Sequence, residues 1–172
     1  MHILEYENYE EMKKHYDTDF SYNTYPCSIP LDFPCVPMHW HRETEIIYVK
    51  SGRGMVNVDG ISYPVVKDSI VFILPGRLHS IAQYESEAFS YENIIFDMQM
   101  LIPKEGDTMS FNFFHRLQNF PEDFPVLIDR VPKAHRAVQI CLDRIDDLRT
   151  TYPAGYYPVS YTHLRAHETR GN

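Results

Sequence analysis

From Thr44 to Phe96 the chain breaks into short runs of β-branched and aromatic residues, each closed by a turn signal. That spacing restricts the fold to a β-sandwich or barrel. Thr44-Glu45-Ile46-Ile47-Tyr48-Val49 reads as a strand that stops at Ser51-Gly52. Gly54-Met55-Val56-Asn57-Val58 reads as the next, and runs into Asp59-Gly60, a two-residue hairpin signal. Ile61–Val66 follows, and Pro64 places it at an edge or bulge because proline has no N–H to give a ladder. Ser69–Leu74 is almost continuously apolar, as a strand buried on both faces must be, and Pro75-Gly76 ends it. Tyr91–Phe96 completes the set.

Beyond Asp97 the period changes. Ser110 to Gln118 is expected to form a short helix, and Pro125 to Ile128 a last strand. Val131 to Leu148 is the clearest helix: Pro132 suits its first turn, and Ala134, Val138, Cys141, Ile145 and Leu148 make an apolar stripe. Arg136, Asp143, Asp147 and Arg149 are expected on the opposite face. The organisation expected is an N-terminal arm at 1–20, a β domain at 21–130 and the start of a helical linker or dimerisation region at 131–157. Pro158–Asn172 fits no element; Val159 through Thr169 look like a translated sequencing adapter. We therefore expect a non-native tail, a natural chain that continues past Tyr157, and no metal site at His163 and His167.

The chain carries 16 basic against 24 acidic residues, a net charge of −8, with no basic run. Nucleic-acid affinity scales with the number of phosphates neutralised, so this chain alone is not expected to bind DNA. No basic, apolar leader opens it, and no apolar run approaches the length of a membrane helix, so a cytoplasmic protein with no membrane partner is expected. The three cysteines, Cys27, Cys35 and Cys141, show no CxxC spacing and are expected to be reduced; a Cys27–Cys35 disulfide is the alternative.

The chemistry concentrates in Met38-His39-Trp40-His41-Arg42-Glu43-Thr44-Glu45. His39, His41 and Glu45 share one parity, so along a strand they project the same way, into the lumen of a small barrel. Trp40, of opposite parity, is expected outside it, under the arm or the helix. Pro75-Gly76-Arg77-Leu78-His79 offers a further histidine just after a buried strand. Histidines and a carboxylate at one place suit a divalent metal, yet paired histidines on a strand are more often simply packed or hydrogen-bonded.

Here the sequence resembles the cupin family, whose motifs are written G-x5-HxH-x3,4-E-x6-G and G-x5-PxG-x2-H-x3-N. His39, His41, Glu45 and Gly52 match the first, and Gly76 and His79 the second. Phe33, Asp68, Leu74 and Gln83 stand where the pattern has glycine, glycine, proline and asparagine. In metal-dependent cupins the three histidines and the glutamate hold a divalent ion. With Gly52-Arg53-Gly54, Asp59-Gly60 and Phe72 to His79 in this order before a helix, roughly residues 20 to 157 also look like the sensor domain of AraC-type transcription regulators.

That resemblance implies an all-β cupin jelly-roll barrel followed by one or more C-terminal α-helices. It implies a small-molecule effector, sugars or sugar derivatives among the candidates, bound by His39, His41, Glu45 and His79. It implies no catalytic residue and no favoured cofactor, since such sensors commonly keep these four residues without a metal; a divalent metal, if held, takes the same four. It also implies a homodimer in the full-length protein, with DNA reached only through a missing C-terminal helix-turn-helix domain. The rival reading is a metal-dependent cupin enzyme, a sugar isomerase or dioxygenase, using the ion as a Lewis acid.

Overall fold

The computed structural model describes residues 9–11, 21–101, 112, 115–117, 124–130 and 132–151. The expected tail at 158–172, with His163 and His167, and most of the arm lie outside the described residues. Seven strands are described: β1 (Tyr22–Ile29), β2 (Val36–His39), β3 (Thr44–Val58), β4 (Ile61–Val66), β5 (Ile70–Ile73), β6 (His79–Gln83) and β7 (Phe89–Phe96). They form an antiparallel sheet, followed by the 3-10 turns Met98–Leu101 and Ile128–Arg130 and a helix, α1 (Pro132–Thr151). This is the all-β architecture with a C-terminal helix that the strand spacing implies.

The expected break at Ser51-Gly52 is a bend and not an end. Thr44–Val58 is a single strand of 15 residues, with a register shift between Val49 and Ser51 and a left-handed Gly52 at φ 74°. A side chain at Gly52 would meet the Ala88 carbonyl, and one at Gly54 the Phe89 ring, so the bend is packed shut and needs both glycines. Before the bend β3 pairs with β7 and β5; after it, with β4 and β6. β1 extends the first half beyond β7, and β2 extends the second beyond β6. The Asp59-Gly60 hairpin forms as expected, both residues having positive φ, and the Pro64 strand β4 is an edge.

The bend turns the two halves of the sheet to face each other. Ile47, Val49, Val71 and Tyr91 from one half pack with Val56, Val58, Val65 and Ile81 from the other. The outer face of the first half carries Tyr22, Ile46, Tyr48, Ile70, Ile94 and Phe96, and α1 covers it with Leu142 and Ile145. The apolar stripe of α1 therefore differs from the expected one. Val138, Leu142 and Ile145 face the sheet, whereas Ala134 is exposed and Cys141 half-exposed. Polar contacts fix this rotation: Tyr48 donates to Asp143 Oδ1 at 3.0 Å, Gln139 donates to Tyr48 Oη at 3.2 Å, and Lys50 Nζ meets Asp146 Oδ2 at 2.6 Å. Asp143, expected on the outer face, is at the seam.

Pro125 to Ile128 is not a strand. A lone bridge joins Leu127 to Val71, Val126 O accepts from Phe72 N, and the chain then tightens into the 3-10 turn. β5 has only four residues and already pairs with β3, which leaves a short edge to continue. Of the expected Ser110 to Gln118 helix, 112 and 115–117 are described and are helical. Among the described residues no helix is long and apolar enough to cross a membrane.

Candidate functional site

The four residues singled out from the sequence meet at one end of the space between the two half-sheets. β2 ends at His39, Trp40 pairs with Glu10, and the chain bends at Arg42-Glu43 before β3 brings in Glu45. His39, His41 and Glu45 are thus not successive positions of one strand, as expected, but converge across a corner. Gly76 N–H donates to His41 O at 2.8 Å and holds that corner against the turn preceding His79. His79 opens β6 as the register partner of His39 and of Val58. The Trp40 backbone is bonded to the arm: Tyr9 O accepts from Trp40 N at 2.9 Å, and Glu11 N donates to Trp40 O at 2.8 Å.

All four side chains present a donor atom to one point, within 4.8 Å of one another. His79 and Glu45 are 0% and 1% exposed, and His41 3%. Each imidazole is oriented by a backbone carbonyl: His39 Nδ1 by Pro37 O at 2.9 Å, His41 Nδ1 by Glu43 O at 3.1 Å, His79 Nδ1 by Arg77 O at 2.8 Å. A carbonyl only accepts, so each Nδ1 carries hydrogen and each Nε2 is turned inward. Glu45 Oε2 lies 2.7 Å from His41 Nε2 and 3.1 Å from His79 Nε2. A neutral imidazole has one N–H, already given to a carbonyl. The short contacts therefore require a positive charge among these groups, either an extra proton or a cation.

The electrostatics agree. Burial raises the Glu45 carboxyl, but His79 and the hydrogen bonds from both histidines outweigh it and hold the group far below the usual carboxylate range. Burial lowers His79, but Glu45 reverses the sign and lifts it above 6.5. Burial and the charge of His79 keep His39 below 6.5, outweighing the Pro37 carbonyl, Glu45 and Glu11, which pull the other way. The donor spacing also fits a divalent ion. Bonds of about 2.1 Å at right angles separate neighbouring donors by about 3.0 Å, close to the Glu45–histidine contacts.

Beside this cluster lies a cavity of about 400 Å³. His39 and Glu45 line it with Tyr25, Phe33, Tyr91 and Asn93, and so do Cys27 and Cys35, which are free thiols. Tyr91 and Asn93 went unnoticed in the sequence. Their signal was there: in Tyr91-Glu92-Asn93 the residues of inward parity are polar within an otherwise apolar strand. Glu11 reaches the same cavity from the arm, its Oε2 3.7 Å from His39 Nε2.

Comparison with known proteins gives three kinds of result. Residues 33–108 match the sequence model of the AraC-like ligand binding domain. No curated protein matches the chain. Among solved structures, a cupin protein from Bacteroides fragilis is 21% identical, with TM-score 0.44 over 60% of this chain and 93% of that one. A Cupin 2 conserved barrel domain protein from Salinispora arenicola is also 21% identical, with TM-score 0.40 over 58% of this chain and 74% of that one. A protein described as a predicted oxalate decarboxylase from Thermotoga maritima is 25% identical, with TM-score 0.39 over 42% and 64%. The matched segment, residues 33–108, carries the corner, the buried cluster and β2 to β7, and is similar to the AraC-like ligand binding domains.

Proposed function

We propose that this chain is the effector-sensing part of an AraC-type transcription regulator, with a small molecule bound in the cavity between the half-sheets. The observation that supports this best is the cavity itself: about 400 Å³, of the size that small-molecule sites have, with aromatic walls and a few convergent polar groups. His39 and Glu45 meet the effector directly. His41 and His79 hold Glu45 in place. The effector stabilises the conformation it fits and so biases the regulator between two states. DNA is read by a separate helix-turn-helix domain in such a regulator. The net charge of −8 argues against this domain doing it.

The test is thermal unfolding of protein with its metal content measured. Little bound metal, a melting temperature indifferent to chelator, and stabilisation by effector support sensing. A hundredfold excess over the dissociation constant stabilises by about 2.7 kcal/mol. His39→Ala removes that shift and leaves the unliganded protein close to its original stability.

One observation favours the enzyme reading: the four donors converge as a divalent-ion site. There His39, His41, Glu45 and His79 would hold the ion, which would supply Lewis-acid chemistry to a substrate in the cavity. Near-stoichiometric metal that disappears in His41→Ala would replace the sensor reading with this one.

A further inference from the structure

The inner face of β7 turns two uncharged polar side chains toward the cavity, and the described residues match neither. Asn93 lines the space with its amide oxygen buried and without a hydrogen-bond partner. Among the described residues nothing accepts from its amide nitrogen either. Tyr91, on the same face two residues earlier, is 2% exposed, and its hydroxyl has only the weak Cys27 thiol beside it. Buried polar atoms are nearly always paired, so this wall calls for hydrogen bonds from outside the chain.

The Asn93 carboxamide narrows the chemistry of what supplies them. It offers a carbonyl oxygen and an N–H side by side in one plane, and turning the group over exchanges the two without losing the pair. Its full complement is another planar edge with a donor next to an acceptor, the pairing by which asparagine takes the edge of a base. The remaining walls suit a flat molecule, since Tyr25, Phe33 and Tyr91, all aromatic, line the same space. Its volume, about 400 Å³, holds a ring-sized ligand.

We infer that Asn93 is the specificity-determining residue of the cavity, and that the effector is a flat ring compound whose edge sets a hydrogen-bond donor beside an acceptor, as a lactam or a primary carboxamide does. This rests on the reading of the cavity as the effector site. The competing occupant is water, which satisfies a lone amide but selects nothing.

The test compares benzamide with methyl benzoate on the isotope-labelled full chain, followed by amide signals in nuclear magnetic resonance titrations. Both probes are flat and uncharged and share ring and carbonyl; only benzamide has an N–H beside it. Benzamide is expected to shift the Asn93 side-chain signal, identified by its loss in Asn93→Leu, and to bind about tenfold more tightly than the ester. Neither Asn93 nor the probes carry charge, so the gap should not change as salt is raised. Asn93→Leu should abolish the preference and leave the melting temperature of the free protein unchanged or higher, because it replaces an unpaired buried group with an apolar one. A lower melting temperature would show the amide to be bonded within the fold and overturn the inference. Equal binding of the two probes among the cavity residues of the unaltered protein would also overturn it, while leaving the cavity as the site. No shift from either probe at millimolar concentration would overturn the cavity reading together with the inference.

Discussion

His79 Nε2 lies 3.1 Å from Glu45 Oε2, although 34 residues separate them in sequence, and neither side chain is open to solvent. Glu45 is held in its ionised form by the same two histidines whose positions it fixes. Removing it strands two inward-facing Nε2 atoms. Glu45→Gln is expected to cost about 2 kcal/mol of stability, read from denaturant unfolding in the presence of chelator. An unchanged midpoint would show that the pair contributes no net stability.

The same pair sets a pH window. The Glu45 pKa is depressed, so its contribution is present above its ordinary 4.5 and lost as pH falls through the lower folded value. The His79 pKa is raised, so its contribution is complete below its ordinary 6.5 and lost as pH rises through the higher folded value. The stability difference between wild type and Glu45→Gln should therefore be largest between pH 4.5 and 6.5 and shrink on both sides. His39, whose pKa is lowered, acts in the opposite sense, since its protonation penalises the folded state as pH falls through its folded value. Glu45 raises His39 against this, so the difference between the two proteins also carries a His39 share below its ordinary 6.5. A difference that is flat from pH 4 to 9 would contradict the assignment.

The rotation of α1 can be checked by truncation. Ile145 is 1% exposed and faces the sheet, whereas Ile140 is 36% exposed on the same helix. Ile145→Ala should cost about 2–4 kcal/mol, and Ile140→Ala no more than about 0.5 kcal/mol. Equal costs would mean that the helix presents a different face.

Gly52 holds the bend with a left-handed backbone and the Ala88 carbonyl against its open side. Gly52→Ala combines unfavourable φ with overpacking, and a loss of about 2–4 kcal/mol is expected in denaturant unfolding. Gly60, also left-handed but with nothing within 4 Å of an added Cβ, should lose less, about 1 kcal/mol. The order of the two variants is the test.

At the seam with α1, Tyr48 bonds Asp143 and Gln139, and Lys50 lies over the Tyr48 ring while reaching Asp146. The double variant Tyr48→Phe, Lys50→Ala should speed amide exchange along α1 several-fold and leave exchange in β6 unchanged. Uniform acceleration would show that the helix and sheet open together.

Much of this was legible in the sequence because it is written locally. Asp59-Gly60 specifies its turn, the apolar 69–74 run specifies a doubly buried strand, and His39, His41, Glu45 and His79 stand at recognisable spacings. What was not legible depends on distant partners. Gly52 reads as a strand end because glycine commonly is one; only Phe89 and Ala88, packed beneath it, make it a bend. The face of α1 could not be chosen from periodicity alone, because Cys141 and Ala134 fall on an apolar stripe as readily as Leu142 does; Tyr48 and Lys50 of β3 decide it. Pro125 to Ile128 has strand-like residues but only a four-residue partner. The polar inward parity of Tyr91 and Asn93 is local, but that they line a cavity depends on Tyr25, Phe33 and His39 from other strands and loops.

β3 pairs with four other strands and belongs to both halves of the sheet. It supplies Glu45 to the cluster, Tyr48 and Lys50 to the helix seam, and Val56 and Val58 to the inner core. The two half-sheets cannot come apart while this strand keeps its ladders, because its first half is bonded to β5 and β7 and its second to β4 and β6. The buried amides of β3 should therefore exchange only through unfolding of the whole domain. An effector that tightens the cavity would then slow that exchange by the full factor of its binding, at Val56 in the far half as much as at Ile47 beside the site.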